Sequence, residues 1–318
     1  MALPAGMTQN PEMPGLFDFH EYEGLRMPKI VLKSSLDELK TFEVRPDDIW
    51  VCTYPKSGTH FIMEMTSLIL ADGDPMKIDR TTHLATISIV TVDRPFTVDA
   101  QQQSDEAQPP LAPMPFIDVI KKAPSPRKIA CHLPFQLLPP NIEKRARVIY
   151  VARNPKDMLA STMRFVEKTV PYPGGFDQMV MDTMNGTTSF GPWFDHVMGY
   201  WKKRKEDNVL FLTFEEMKMN PAEAAQRVGK LLGRPLSPEI LEKVVTKSGF
   251  EGMKKTYDKI EKASDKGKFL TKAAGQLPFM QKGVIGSWKE RFTVAQNEAF
   301  DKWYQDKFAG CDLEFQFE

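Results

Sequence analysis

Asp48-Ile49-Trp50-Val51-Cys52-Thr53, then Tyr54-Pro55-Lys56-Ser57-Gly58-Thr59-His60, then Phe61 to Leu70 form the stretch that decides how this chain folds. The first piece is a short apolar run that stops at Tyr54-Pro55, and the last is amphipathic at helical spacing, so the reading is strand, tight turn, helix. Backbone N–H groups on such a turn point at one spot and the helix dipole adds positive potential, so a phosphate or sulfate fits there. An ATP-binding P-loop needs Gly-x-x-x-x-Gly-Lys-Ser/Thr, but here Lys56 precedes Ser57-Gly58 and the first glycine is absent. The hydroxyl that would hold magnesium is therefore out of its usual place. Taken alone, a capped turn with a surface lysine would use the same residues.

The alternation returns along the chain. Lys128-Ile129-Ala130-Cys131-His132 is a second apolar run, Val148 to Ala152 leads into Lys156 to Val166, and Val209 to Thr213 leads to Pro221 to Leu232. Short apolar runs alternating with helices imply an α/β fold with a central parallel sheet, expected at about five strands, flanked by helices on both faces. Ligands of such sheets sit beyond the carboxyl ends of the strands, which gives weight to the residues just after each run. Residues 29–318 read as a single domain, and the proline- and glycine-rich residues 1–28 as a loose leader. Thr91 to Pro115 is a long irregular stretch with the character of a lid or binding loop. Residues 251–283 hold eight lysines against four acidic residues, a basic segment or a solvated face.

Composition removes other classes. The 318 residues are 42% hydrophobic and 26% charged, an ordinary globular balance. Lys plus Arg equal Asp plus Glu at 42 each, so no overall field draws nucleic acid or an anionic membrane, and neither is expected as a partner. Three cysteines, Cys52, Cys131 and Cys311, have no Cys-x-x-Cys spacing, which argues against a zinc site or a disulfide framework. The start of the chain has neither a basic n-region nor an apolar h-region, and no 18 apolar residues run together, so a cytoplasmic protein is expected. On that reading Asn185-Gly186-Thr187 is a chance match to a glycosylation site.

Together with Val151-Ala152-Arg153-Asn154-Pro155-Lys156-Asp157 and Phe279-Met280-Gln281-Lys282-Gly283-Val284-Ile285-Gly286-Ser287-Trp288, the phosphate turn resembles the cytosolic sulfotransferases, which use 3′-phosphoadenosine 5′-phosphosulfate (PAPS) and release 3′-phosphoadenosine 5′-phosphate (PAP). The resemblance runs from about residue 27 to the C-terminus, with the motifs in family order. It implies that Lys56 contacts the bridging oxygen of the phosphosulfate and that Ser57, Gly58 and Thr59 hold the 5′-phosphate. Arg153 and Ser161 match the 3′-phosphate ligands, Lys282 and Gly283 the last part of that phosphate's loop, and Ser248 and Phe250 the adenine contacts. Phe61 stands where the family stacks a tryptophan, and His60 where it usually has threonine. His132 stands at the catalytic base. Phe165 matches a wall of the acceptor pocket, and the Thr91 to Pro115 loop is expected to cover that pocket.

Lys289, Thr293, Val294 and Glu298 fit the family's dimerisation pattern Lys-x-x-x-Thr-Val-x-x-x-Glu, and a helix start near Thr293 fits the same residues. The implied reaction is an in-line displacement at sulfur, with His132 taking the proton of an acceptor hydroxyl or amine, Lys56 stabilising the leaving phosphate, and no metal. The sequence departs from the family at Ala130, where many members have a lysine, at Phe214 for a usual tyrosine, and at Gln281 for a usual arginine. Those departures are the only support for a non-catalytic nucleotide or hydrophobic-ligand binder on the same fold. A kinase is disfavoured by the missing first glycine.

Overall fold

The structure, a computed structural model, describes residues 18–29, 31–78, 116–168, 171–263 and 283–318. Its centre is a parallel sheet of β3 (Ile49–Thr53), β4 (Lys128–Cys131), β5 (Arg147–Ala152) and β6 (Val209–Thr213), in spatial order β4-β3-β5-β6. Among the described residues four parallel strands stand where about five were expected. The remaining two described strands, β1 (Phe19–Tyr22) and β2 (Leu25–Pro28), pair antiparallel in a sheet of their own. Glu23 and Gly24, both at positive φ, make the two-residue turn, a backbone whose twist suits a hairpin. The loose leader expected over residues 1–28 is thus corrected from Phe19 onward, because Tyr22 and Met27 are buried.

Helices fill the connections. α1 (Lys33–Leu39) precedes β3 and α2 (Thr59–Leu70) follows it; α3 (Phe116–Lys122) leads to β4 and α4 (Ile142–Arg145) to β5. After β5 come α5 (Pro155–Val166), α6 (Gly175–Asn185) and α7 (Trp193–Trp201). After β6 come α8 (Phe214–Met219), α9 (Pro221–Leu231), α10 (Pro238–Ser248) and α11 (Phe250–Ala263), and α12 (Val294–Phe308) lies near the end.

Both faces of the sheet are covered. Trp50, Cys52, Val148 and Tyr150 belong to the core that includes Trp193, Val197 and Tyr200 of α7. Ile49, Val51, Ile149 and Leu212 belong to the core with Ile62, Met65 and Ile69 of α2. Burial on two faces is why these strands read as apolar runs rather than as alternating patterns. The register sets Cys52 level with Cys131, Thr53 with Val151, and Ala152 with Thr213. His132, Lys56, Arg153 and Phe214 therefore leave the same edge of the sheet, where the chain order reverses direction around β3.

Candidate active site

The turn after β3 carries the first set of groups. Lys56 has φ +66° and Gly58 φ +106°. A Cβ at Gly58 would come within 2.6 Å of the Phe214 ring, so this position needs glycine for space as well as for conformation. The ring of Phe214 also meets Gly283, where a Cβ would lie 2.7 Å from it. Gly58 is the N-cap of α2, no side chain caps that helix, and its first turn holds no acidic residue. An uncapped, twelve-residue helix aimed at a lysine-bearing turn is a site for an anion. Thr59 is half of a hydroxyl pair, its Oγ1 lying 2.6 Å from that of Thr53.

His132, just past β4, is held by the same turn. Its Nδ1 lies 2.8 Å from the carbonyl oxygen of Thr53 and 3.1 Å from the Thr53 hydroxyl. An N–H at Nδ1 donating to that carbonyl leaves Nε2 as the proton-accepting nitrogen, the tautomer a general base needs. Behind it, His196 of α7 sits 3.0 Å through Nε2 from the carbonyl of His132, and its Nδ1 takes the Tyr150 hydroxyl at 2.8 Å. Tyr200 donates to the next carbonyl, Leu133, at 2.7 Å. Three side chains from β5 and α7 thus fix the backbone that carries His132.

Crowding sets the charge states. Burial, and then the charge of Lys56, pushes His132 down to about 4, so the ring is neutral near pH 7. Burial, with Lys56 and His132 beside it, takes His60 to about 3. Lys56 is lowered to about 8, first by burial and then by Arg153 and Arg164, and its Nζ lies 4.6 Å from the centroid of the Phe165 ring. Phe190 stacks edge-on to His132 with ring centroids 5.9 Å apart, so aromatic walls flank both groups.

Three buried side chains of the elements around this turn carry unpaired polar atoms. Among the described residues, Ser57 Oγ, Arg153 Nε and Nη2, and Ser248 Oγ have no hydrogen-bond partner. Arg153 donates once, from Nη1 to the Lys56 carbonyl at 3.2 Å, and lies 4.3 Å over the Phe214 ring. Ser161 is buried on α5, Phe61 meets Phe214 edge-on at 6.3 Å, and α10, which ends at Ser248, packs on α2. Phe250 opens α11 next to it. Gln281, Lys282 and the Thr91 to Pro115 loop lie outside the described residues. A cavity of about 500 Å³ lies elsewhere, between β6 and the chain end near Phe315, and neither Lys56 nor His132 borders it.

A family model described as a sulfotransferase domain matches residues 46–312. The chain belongs to the sulfotransferase family. Over 284 residues it is 37% identical to sulfotransferase 1C2 of Rattus norvegicus, covering 88% of this chain and 90% of that one, and over 289 residues 36% identical to sulfotransferase 1 family member D1 of Mus musculus, covering 88% and 90%. The fold is that of mouse sulfotransferase SULT7A1 complexed with PAP, with a TM-score of 0.68, 24% identity, and 92% and 95% of the two chains covered. It is also that of retinol dehydratase in complex with androsterone and inactive cofactor PAP, at 0.70, 21%, 95% and 93%. The family's reaction, transfer of a sulfuryl group from PAPS to an acceptor, is the reaction of this sulfotransferase.

The unpartnered atoms of Ser57, Arg153 and Ser248 fit a nucleotide rich in acceptors, since the hydroxyls and the guanidinium lack only what phosphate and adenine offer. Sequence reasoning missed the support behind His132: His196, Tyr150 and Tyr200 are separated from it along the chain and share no motif with it. Ala130 is buried in the α2-side core, level with Val51, so its methyl serves packing. Among the described residues no group of His, Cys, Asp and Glu is arranged to hold a metal ion, and no helix is long and apolar enough to cross a membrane.

Proposed function

We propose that this sulfotransferase sulfonates a hydroxyl or amine of a small apolar or aromatic acceptor, with His132 as base, Lys56 as the cation at the leaving group, and the nucleotide laid across the ends of β3, β5 and β6. PAPS, when bound, supplies the electrophilic sulfur and the phosphate leaving group. The observation that carries the residue assignment is the set of buried, unsatisfied groups of Ser57, Arg153 and Ser248 beside a neutral, oriented histidine. Ser57, Gly58 and Thr59 would hold the 5′-phosphate, with His60 beside it; Arg153, Ser161, Gln281, Lys282 and Gly283 the 3′-phosphate; Phe61, Phe214, Ser248 and Phe250 the adenine end.

Nε2 of His132 takes the acceptor's proton, because Nδ1 is committed to Thr53. Lys56, desolvated and flanked by two arginines, gains most from a phosphate whose charge grows as the bond to sulfur lengthens. Phe165 and Phe190 exclude water from that side, which favours an apolar or aromatic alcohol. A cytosolic location and a homodimer formed through Lys289, Thr293, Val294 and Glu298 complete the reading. Transfer of radiolabelled sulfate to a panel of phenols, sterols and amines tests it. His132→Ala should lower turnover by about 10²-fold to 10⁴-fold with PAP affinity nearly unchanged. Near-normal turnover in that variant would refute the role of His132, and no transfer to any acceptor by the parent enzyme would leave only a binding protein.

A further inference from the structure

Among the described residues Arg153 is held by one hydrogen bond of its own, and two of its nitrogens, Nε and Nη2, are buried without one. The residue that follows it does the holding. Asn154 is fully buried; its backbone N–H donates to Glu215 Oε1 at 3.0 Å and its Nδ2 to the same oxygen at 2.9 Å. Nδ2 also reaches Asp157 Oδ2 at 2.9 Å and the Gln316 carbonyl at 3.1 Å, while Oδ1 takes the Asp157 N–H at 2.8 Å and so caps α5. Asp157 in turn accepts from Gly286 N, Ser287 Oγ and Trp288 N at 2.9, 3.0 and 2.9 Å, which ties the segment after Gly283 to the same knot.

Glu215 is what anchors this knot to β6 and α8. It is 1% exposed, and its second oxygen, Oε2, is buried without a partner among the described residues. A buried carboxylate with an idle oxygen is expensive, and a purely structural bridge could be built from neutral groups at less cost. The cost is offset if the bridge sets the aim of a ligand-binding side chain, because a displaced arginine fork loses paired hydrogen bonds together.

We propose that Glu215 is a positioning residue for Arg153: by clamping Asn154 from α8 it fixes where the guanidinium presents Nε and Nη2, and so gives the enzyme its preference for a nucleotide with a 3′-phosphate. The inference rests on the assignment of Arg153 to that phosphate. Burial lifts the Glu215 carboxyl to about 7 against the opposing pull of the Asn154 bonds and of the Arg153 charge.

Titration calorimetry with PAP and with adenosine 5′-monophosphate, which lacks the 3′-phosphate, tests it on the full-length enzyme. Glu215→Asp keeps the charge but draws the oxygens back from Asn154, and should lower the PAP preference by about tenfold. Glu215→Gln keeps an oxygen that can accept both Asn154 bonds and should stay within about threefold of the parent. If the aspartate variant does not fold, Asn154→Ala removes the side-chain half of the contact and is read in its place with the same expectation. Equal losses for both nucleotides, an unchanged preference in Glu215→Asp, or an equal loss in Glu215→Gln each overturn the proposal. Arg153→Met is the separate check: an unchanged preference there removes the 3′-phosphate assignment itself, whereas a lost preference there with an unaffected Glu215→Asp removes only the role of Glu215.

Discussion

At the scale of single residues, the proposed pairing of His132 and Lys56 draws on crowding that moves both in useful directions. Each is half-open to the surface yet ringed by protein, and burial disfavours the charged form of both. The histidine falls to about 4 and the lysine to about 8, so between those values the free protein holds a neutral imidazole beside a protonated lysine. kcat/KM should therefore form a plateau that falls below about pH 4, as His132 gains a proton, and above about pH 8, as Lys56 loses one. An aliphatic alcohol as acceptor keeps the substrate's own ionisation out of the profile. A plateau that continued undiminished to pH 10 would remove Lys56 from the mechanism. These two residues were legible because each follows an apolar run closely and matches a position of the family's motifs; Glu215 and His196 were not, since a carboxylate after β6 and a histidine in α7 acquire meaning only when β5 is laid between them.

At the scale of elements, the sheet's two ends do different work. The carboxyl end holds the site, and the amino end is locked by Asp48 and Arg127, which precede β3 and β4. Arg127 donates to Asp48 from Nε at 2.7 Å and from Nη2 at 2.5 Å, lies 4.9 Å over the Phe42 ring, and is 3% exposed, while Asp48 is fully buried. Asp48→Ala leaves a buried guanidinium without its counter-charge, which costs about 3–5 kcal/mol. At roughly 2–4 °C per kcal/mol for a chain of this size, the melting temperature should drop by about 10 °C. PAP affinity of the folded variant should not change, because the pair is a strand's length from Lys56. A melting temperature within a degree or two of the parent would show that the pair is dispensable. The strands and helices around it were readable from the sequence because double-faced burial writes continuous apolar runs. The β1-β2 hairpin was not, since its four-residue strands lie in a stretch whose prolines and glycines hide any alternation, and only the buried Tyr22 and Met27 show what it packs against.

At the scale of the whole molecule, the dimer proposal turns on the start of α12. Thr293 is the N-cap, its hydroxyl accepting from Gln296 N at 3.2 Å and its own N–H donating to Gln296 Oε1 at 2.9 Å, so the helix start expected for these residues is present. The cap leaves the next side chain pointing outward: Val294 is 75% exposed, Val284 is 58% exposed, and Lys289 and Glu298 are exposed around them. A capping box and a contact surface are therefore compatible uses of one segment. Val294→Glu separates them. A carboxylate at the first position of a capped helix is favourable to the monomer, since it faces the positive end of the dipole, so folding should be unharmed. Buried against its symmetry mate the same carboxylate would be desolvated and would face its own copy, which is unfavourable in a small apolar contact. Light scattering should accordingly report a mass halved relative to the parent, with the melting temperature of the diluted parent retained. The same mass for both proteins would mean that Val294 lies in no interface, whether because the parent is already a monomer or because its copies meet elsewhere.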